Sequence, residues 1–411
     1  MIGADFDPNT SFDPFLEETL ADPYPQYAEM RKAGGVIHVE RIDSWVAFGY
    51  NDVKEGFHNR ALSADRTLAK KYRGPKTDMR SIMSEPPAHT AVRAPLNKGM
   101  APMLADPELI ISVERIVEDM LDPLRESVER YLEESGLASA RGEIEFIHDF
   151  ASPLPIRVIG DLLGIPAAER DRFEAYSEGV ARSMDRFYRQ GEGVNRAEFE
   201  DYFMAMVRER RANPGDDLVS RVLVADAARS EPLTDEEVAF LLGSTLVVAG
   251  HETTANLLGN GLRALLQHPD QFERFRDDPE GLVDTAVEEF LRFDSPAQAT
   301  SRTVVEPTTL GGAELEPGET ILLVIGSANR DESEFGETSE MLDVGRNPNP
   351  HFAFGRGHHT CPGARLSRIE ARVGLLALLE RFPNMRFGED AGKFRSNWVL
   401  RGLERLPIVL G

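Results

Sequence analysis

The sequence predicts a mainly α-helical fold with minor β structure, and three observations indicate this fold class. Helical periodicity of apolar residues dominates the 411 residues, with only short β-like runs between the helical patterns. No Gly/Ser-rich or Pro-rich linker and no internal repeat divides the chain, although its length alone would allow two or three domains. Residues 240–249, inside the longest helical pattern, carry no charge on any face. Because a helix that is apolar all round is buried, we expect this helix to cross the core.

The predicted elements follow in chain order. A short helix over residues 25–32 precedes a small hairpin formed by residues 36–39 and 44–48. Further helices are predicted over 88–97, 107–134, 154–163, 169–189 and 195–211, until the turn Asn213-Pro214-Gly215 breaks the pattern. The longest helix starts at a capping box of Thr234 and Glu237 and runs to about residue 267. The last third adds helices over 282–293 and 364–381 and β-like segments over 300–305 and 320–324.

Composition excludes some classes of partner. The net charge is −24, from 46 Lys and Arg against 70 Asp and Glu, and such a surface repels nucleic acid. The first 20 residues are acidic and lack an apolar stretch. No later segment reaches the roughly 18 uncharged apolar residues that a membrane span needs. We therefore expect a cytoplasmic protein with neither a nucleic-acid nor a membrane partner.

Cys361 is the only cysteine in the sequence. A single thiol is an inert core residue, a nucleophile, or one axial ligand to a metal that is held mainly by something else. Gly355 and Gly357 permit a tight turn before it. An amphipathic helical pattern follows, so the sulfur is expected at a helix N-terminus, where the dipole favours the thiolate.

The run from Phe354 to Gly363 has the form Phe-Gly-x-Gly-x-His-x-Cys-x-Gly, and it resembles the haem-binding loop of the cytochrome P450 family. The resemblance implies that Cys361 is the axial thiolate ligand of a haem b iron, with Phe354, Gly355 and Gly363 forming the loop around it. It extends from about residue 22 to the C-terminus, which implies one domain over residues 22–411 after a tail of residues 1–21. In that fold the haem lies between the long central helix and the cysteine loop.

The centre of the apolar helix carries Ala249-Gly250-His251-Glu252-Thr253-Thr254. Gly costs about 1 kcal/mol relative to Ala in a helix, and a buried carboxylate costs more. A kinked helix with Thr253 bonded to the carbonyl of the preceding turn is the structural explanation, and we expect the same kind of bond at Thr254. The resemblance implies a catalytic explanation for the rest: Gly250 leaves room for dioxygen and water, while Thr253 and Glu252 deliver protons.

The two propionates of a haem need donor partners, and the resemblance implies four: His89, Arg93, Arg302 and His359. The first two are spaced i, i+4 and project from one helix face, and arginine suits carboxylates through its planar fork. A further resemblance, to the family's Glu-x-x-Arg pair, is carried by Glu289 and Arg292, with Arg346 as the expected second arginine. We assign these three to the fold and to assembly of the haem pocket.

Arg365, Arg368 and Arg372 share one face of the helix that follows the cysteine. This face is either solvated and balanced by Glu370, or it docks an acidic ferredoxin or flavodoxin-type electron donor. No nicotinamide, flavin or ferredoxin module is evident in the chain, so the donor and its NAD(P)H reductase are expected to be separate proteins. Pro362 stands where many family members have a residue with an amide N–H, so we expect one hydrogen bond to the Cys361 sulfur to be missing.

By resemblance, the substrate contacts residues 182–188 and the side chains of Ile82, Met83, Thr245, Val248, Ala249, Ala297 and Gln298. Most of these are small or apolar, which predicts a neutral hydrophobic substrate such as a terpenoid, steroid, fatty acid or macrolide-like skeleton. The predicted reaction is O2-dependent hydroxylation. Two alternatives stay open: a haem-thiolate protein with a binding or sensing role, and a hydrolase or transferase that uses Cys361 with His358 or His359.

Overall fold

The computed structural model describes residues 7–74, 79–135, 143–173, 175–176 and 196–410. Its longer helices, given in chain order, are Tyr24–Ala33, Tyr50–His58, Ala88–Ala105, Pro107–Ser135, Pro153–Leu162, Arg196–Ala212, Leu218–Ala227, Asp235–Gln267, Pro269–Asp277, Pro279–Phe293 and Ala364–Arg381. Short helical turns cover Pro8–Ser11, Glu17–Ala21, Ile325–Ala328 and Glu332–Phe335. The predicted helix over 169–189 is described only as far as residue 176, and the remainder lies outside the described residues.

The β structure is minor and divides into four small sheets. The largest has five strands in the order Val36–Val39, Ser44–Ala47, Thr320–Leu323, Thr300–Val304 and Leu62–Ser63. The other sheets pair Glu143–Glu145, Pro407–Val409 and Arg386–Phe387, then Lys393–Phe394 with Leu403–Arg405, and Thr308–Leu310 with Ala313–Leu315. The predicted class, mainly α with minor β in a single domain, is therefore confirmed.

The predicted hairpin forms with Val36 opposite Ala47 and Val39 opposite Ser44. Its second strand then pairs in parallel with Thr320–Leu323, so the N-terminal hairpin and the C-terminal third of the chain share one sheet. Val36 and Val39 point to opposite faces of their strand and both are buried, so the hairpin is covered on both sides.

The helix Asp235–Gln267, called the central helix below, begins at the predicted capping box, in which Thr234 and Glu237 exchange backbone and side-chain hydrogen bonds. It is π-helical over Phe240–Val247 and α-helical from Val248 onwards. Among the described residues it is the one helix that is long and apolar enough to cross a membrane, yet 65% of its most apolar window is buried inside the protein. Its hydrophobicity is therefore that of a core helix.

Three helices were not predicted, and one extends further than expected. Tyr50–His58, Leu218–Ala227 and Pro269–Asp277 are short, so their periodicity is weak. Ala88–Ala105 continues beyond residue 97 in spite of Pro95 and Pro102. Packing outweighs propensity there, because Leu96 and Met100 are buried in the same apolar cluster as the helix Leu218–Ala227.

The described part of the expected N-terminal tail packs against the rest of the chain. Phe12 is 1% exposed, and its ring makes edge-on contacts with Phe48 and Trp398. The backbone carbonyls of Leu20 and Ala21 accept hydrogen bonds from the buried Arg401. The packing therefore shows no division at residue 22.

Candidate active site

A large cavity lies between the central helix and the cysteine loop. Its volume is about 320 Å³, within the roughly 300–1000 Å³ of a typical ligand pocket. Residues from distant parts of the sequence meet on its wall. Those singled out above are Ile82, Met83, Arg93, Thr245, Ala249, Gly250, Thr253, Ala297, Arg302, Phe354, Gly355, His359, Cys361 and Gly363.

The cysteine loop is built by two glycines in the left-handed region. Gly355 has φ of 66° and Gly357 has φ of 74°, values that residues with a Cβ rarely adopt. The turn returns the chain so that the Cys361 amide donates to the Phe354 carbonyl at 2.9 Å. The helix Ala364–Arg381 starts three residues later, which places the sulfur at its N-terminal end.

The Cys361 thiol is accessible and yet lies inside the protein, because it faces the cavity. Burial raises the pKa of this thiol, whereas hydrogen bonds from the amides of Gly363 and Ala364, and the charges of Arg93 and Arg368, lower it. The amides that approach the sulfur come from the second and third residues after it. Pro362, the first, has no N–H to contribute.

Neither neighbouring histidine activates the thiol as a nucleophile. His358 Nε2 lies 3.0 Å from Glu85 Oε2. His359 Nδ1 lies 3.1 Å from the Ile82 carbonyl, and its Nε2 lies 3.4 Å from Glu85 Oε1. Both rings are thus engaged away from Cys361, and the geometry of a Cys–His hydrolase is not formed.

The cationic side chains near Cys361 fit an anionic, flat cofactor. Arg93 donates through Nη2 to the Thr360 carbonyl, but its buried Nε has no hydrogen-bond partner in the described part of the chain. The buried Nε2 of His89 lacks a described partner as well. Arg302 is 6% exposed, donates to Thr300 Oγ1 and the Ser301 carbonyl, and lies over the Phe57 ring. Donors left unsatisfied beside an apolar cavity suit a haem with two carboxylates.

Burial also sets the protonation of these groups. It lowers the pKa of both Arg93 and Arg302. The pKa of His89 falls to about 4, first through burial and then through the charges of His359 and His358, so His89 is neutral at pH 7. An arriving carboxylate would compensate the two buried guanidiniums.

The two threonines of the central helix have different partners. Thr253 Oγ1 donates to the Ala249 carbonyl at 2.6 Å, which is the bond to the preceding turn given by the structural explanation. Thr254 Oγ1 instead donates to Ser367 Oγ on the helix after the cysteine, at 3.1 Å. The prediction for Thr254 was wrong because Ser367, 113 residues away in sequence, offers its hydroxyl a closer tertiary partner.

Gly250 has a steric reason to be glycine. A Cβ at this position would lie 2.9 Å from Cδ1 of Ile159, so the helix Pro153–Leu162 packs directly against the backbone there. Gly250 also reaches the cavity wall. A side chain at position 250 would therefore displace the end of the Ile159 side chain or enter the cavity.

Glu252 lies on a different side of the central helix from the cavity wall. Its side chain is 9% exposed, and its Oε1 accepts a hydrogen bond from Arg395 Nη1 at 3.2 Å. Arg395 follows the strand Lys393–Phe394 and is partly exposed. The pair thus connects the buried helix with the protein surface, while Thr253 stands at the cavity.

The Glu-x-x-Arg pair is buried, as expected. Glu289 and Arg292 have no exposed side-chain surface and join at 2.8 Å, and Arg346 Nε bonds Glu289 at 3.1 Å. Arg292 also donates to the carbonyls of Asn329 and Ser339. These bonds tie the helix Pro279–Phe293 to the loop before the cysteine, which is a structural role.

Some expected substrate contacts are not brought to the cavity. Gln298 is fully buried and accepts from the Tyr27 hydroxyl while donating to the Ser295 carbonyl. Its amide satisfies buried polar groups beneath the sheet, so the prediction for Gln298 does not hold. Val248 is buried in an apolar cluster away from the cavity wall. Residues 182–188 lie outside the described residues.

Sequence reasoning missed several residues at this site. Part of the apolar cavity wall comes from Leu96, Leu241, Leu246, Leu291 and Ile325, which nothing in the sequence distinguishes from core residues. Glu85 could have been found, because it precedes His89 by one helical turn. No pattern in the sequence indicated that Arg395 pairs with Glu252.

The three arginines after the cysteine do not form a free basic cluster. Arg368 bonds Glu288 at 2.5 and 2.8 Å, and its guanidinium lies over the Phe354 ring. Arg372 bonds Asp284 and Glu280. Arg365 is exposed. Two of the three charges are therefore compensated by the helix Pro279–Phe293.

Comparison with known proteins agrees with this geometry. Residues 184–385 match the family model described as Cytochrome P450. The chain is 34% identical to cytochrome P450 monooxygenase PikC of Streptomyces venezuelae, over 95% of this chain and 92% of that protein. It is 33% identical to vitamin D(3) 25-hydroxylase of Pseudonocardia autotrophica, over 95% and 94% of the two chains.

Solved structures show the same fold. The cytochrome P450 PksS of Bacillus subtilis superposes with a TM-score of 0.83 at 32% identity, over 97% of this chain and all of that one. CYP109E1 of Bacillus megaterium in complex with testosterone gives a TM-score of 0.78 at 32% identity, over 95% and 99%. The chain therefore belongs to the cytochrome P450 family: it is a haem-thiolate monooxygenase, and its only cysteine, Cys361, is the axial ligand of the haem iron.

Proposed function

We propose that this monooxygenase hydroxylates a neutral, hydrophobic small molecule, with electrons that reach the haem from a ferredoxin or flavodoxin-type donor and its NAD(P)H reductase. The observation that carries the substrate class is the cavity wall. Among the described residues that line it, the permanently charged side chains are Arg93 and Arg302, on the side of Cys361. We also propose that the protein is cytoplasmic.

The wall on the side of the central helix selects for apolar ligands. It is formed by Leu241, Thr245, Leu246 and Ala249, opposite Leu291 and Ile325. An ionised substrate would lose its hydration there without gaining a counter-charge. Among the relatives, one is named 6-deoxyerythronolide B hydroxylase and another structure contains testosterone. We therefore propose a macrolide-like or steroid skeleton, which matches the apolar character of this wall.

Haem supplies the oxygen-activating chemistry when bound. The side chains of the protein bind the haem and deliver the protons that the reaction needs. We propose that Arg93, Arg302, His89 and His359 hold the two propionates. Arg93 Nε and His89 Nε2 lack hydrogen-bond partners among the described residues, and Arg93, Arg302 and His359 line the cavity beside Cys361. We propose further that the Thr253 hydroxyl gives protons to the cavity. Its present bond to the Ala249 carbonyl keeps the hydroxyl in place. Glu252, paired with Arg395, would resupply those protons from the surface.

The electron donor is expected to bind on the side of the cysteine helix. Because Arg368 and Arg372 are already paired, Arg365 is the exposed charge available to an acidic partner. With a net charge of −24, the protein as a whole repels an acidic donor at long range. Short-range contacts must therefore contribute much of the docking.

Two measurements test the proposed function. Substrate-induced changes in the haem absorption spectrum should appear with neutral macrolides or steroids. They should be absent with analogues that carry a carboxylate at the same skeleton. Turnover with surrogate redox partners should then give a hydroxylated product that requires O2. Equal binding of the charged and neutral analogues, or binding without any O2-dependent product, would contradict the proposal.

A further inference from the structure

A second cluster of ligating side chains lies beside the cysteine loop. Glu85, His358 and His359 each offer one ligand atom, and these atoms all lie within 4.8 Å of one another. The carboxylate of Glu85 contacts both rings, at 3.0 Å for His358 Nε2 and 3.4 Å for His359 Nε2. The contacts of Glu85 with the two rings have no assigned part in the hydroxylation, although His359 itself is also a proposed propionate partner. We propose that the three side chains form a binding site for Zn²⁺ or a cation of the same class.

The ligand types and spacing suit this ion. Two imidazoles and one carboxylate are a ligand set that Zn²⁺ takes in enzymes, with a fourth position left for water. Bonds of about 2.0–2.2 Å in tetrahedral geometry set neighbouring ligand atoms roughly 3.3–3.5 Å apart. The observed separations, 3.0 Å from His358 Nε2 to Glu85 Oε2 and 3.4 Å from His359 Nε2 to Glu85 Oε1, are close to this spacing, and one ligand atom from each residue lies within 4.8 Å of the other two.

The carboxylate is held in place by other groups. Glu85 Oε1 accepts from Ser63 Oγ at 3.0 Å and from the Ala64 amide at 2.7 Å. Such outer hydrogen bonds orient a ligating carboxylate and raise metal affinity. The side chain of His358 is 51% exposed and that of Glu85 is 33% exposed, so an ion can enter from solvent.

On its buried side, the cluster is in contact with a third histidine, His89, which has a nitrogen without a described hydrogen-bond partner. The His89 ring centroid lies 4.6 Å from that of His359 and 5.3 Å from that of His358. His89 is 3% exposed, and its Nε2 has no hydrogen-bond partner among the residues that the structure describes. A third imidazole thus lies behind the two that offer ligand atoms. Because His359 is also a proposed propionate partner, an ion here would sit at the edge of the cofactor.

Calorimetric titration of the haem-loaded, chelator-washed protein with ZnCl2 tests the site. We expect one saturable Zn²⁺ per chain. His358→Gln should weaken its affinity by at least about tenfold, the smaller of the effects seen when a metal site loses a supporting partner. Glu85→Gln, which keeps an oxygen for the Ala64 amide, should do the same and serves if His358→Gln does not retain haem. MgCl2 should not bind, since Mg²⁺ prefers oxygen ligands.

His148→Gln is the matched control. His148 is 81% exposed and lies 2.9 Å from Asp149, so it is a histidine–carboxylate pair without a second imidazole. Its loss should leave Zn²⁺ affinity unchanged. The proposal is overturned if Zn²⁺ shows no saturable binding. It is also overturned if both site variants bind as the wild type does, or if Mg²⁺ binds equally. None of these results bears on the substrate class, which is read from the turnover experiment.

Discussion

Arg395 Nη1 lies 3.2 Å from Glu252 Oε1, so the buried carboxylate of the central helix is paired with a guanidinium that reaches solvent. The two residues are 143 positions apart in sequence. Arg395 follows the strand Lys393–Phe394, and its amide bonds the Gly402 carbonyl, which fixes where the side chain begins. The strand Lys393–Phe394 thus supplies the surface end of the proposed proton route.

Arg395→Gln should impair proton delivery and leave substrate binding intact, because Arg395 is not part of the cavity wall. Without its partner, the Glu252 carboxylate loses its fixed position. We expect product formed per O2 consumed to fall on the order of tenfold, below the full effect of losing a general acid. Arg405→Gln is the control, since Arg405 lies on the neighbouring strand and pairs with the exposed Asp390. Equal coupling in Arg395→Gln and wild type would refute this role.

Pro362→Leu should raise the reduction potential of the haem iron. The amides of Gly363 and Ala364 approach the Cys361 sulfur, and Pro362 withholds the amide that would come first. A new N–H directed at the sulfur would withdraw electron density from it and favour the reduced iron. Pro362→Ala restores the same N–H with a smaller side chain, so both variants should shift the potential upward in a spectroelectrochemical titration. No rise in either would count against the missing hydrogen bond.

Arg365→Glu should slow reduction of the haem by an acidic donor. Arg365 is the exposed member of the arginine face, whereas Arg368 is bonded to Glu288 and stacked on Phe354. Reversal at Arg368 would therefore disturb the cysteine loop as well as the charge. In stopped-flow measurements at low salt we expect a reduction about tenfold slower, with the difference shrinking at high salt. Reversal of the exposed Arg386 on a separate sheet should have little effect, and equal rates for the two variants would contradict docking at Arg365.

Glu370→Gln should raise the free energy of unfolding relative to wild type, and the gain should be larger at pH 8 than at pH 5. Glu370 is 1% exposed, and its Oε2 has no described hydrogen-bond partner. Burial raises the pKa of its carboxyl from 4.5 to about 8. Between these values the unfolded chain ionises while the folded chain stays protonated, so this group lowers stability as pH rises through that window.

The glutamine variant removes that pH dependence. We expect a gain at pH 8 on the order of a few kcal/mol in the free energy of unfolding, and almost none below pH 4.5. Urea titrations of wild type and variant at the two pH values measure it. Glu380→Gln, on the exposed side of the same helix, is the control. An equal gain at both pH values would show that the carboxyl is not protonated in the fold.

Local features of the site were predictable because adjacent residues specify them. The glycines at 355 and 357 and the helix after Cys361 are encoded within ten residues, and the structure follows them. The capping box of Thr234 and Glu237 likewise forms where the pattern predicts it.

Tertiary partners were not predictable in the same way. Thr254 bonds Ser367, and Gln298 bonds Tyr27 rather than facing the cavity. Each of these bonds is made with a hydroxyl that is distant in sequence and near only in the folded protein. The residues around Thr254 and Gln298 do not indicate such a partner. The same holds for the Arg368–Glu288 pair, which neutralises a face that looked basic from its helical spacing alone.

The most direct test of the central claim follows the single cysteine. Reduced wild-type protein with carbon monoxide should show the absorption band of a thiolate-ligated haem, and turnover under isotopically labelled O2 should place one labelled oxygen atom in the product. Cys361→Ser should lose both. A wild-type spectrum typical of imidazole ligation, or a product oxygen that comes from water, would contradict the account.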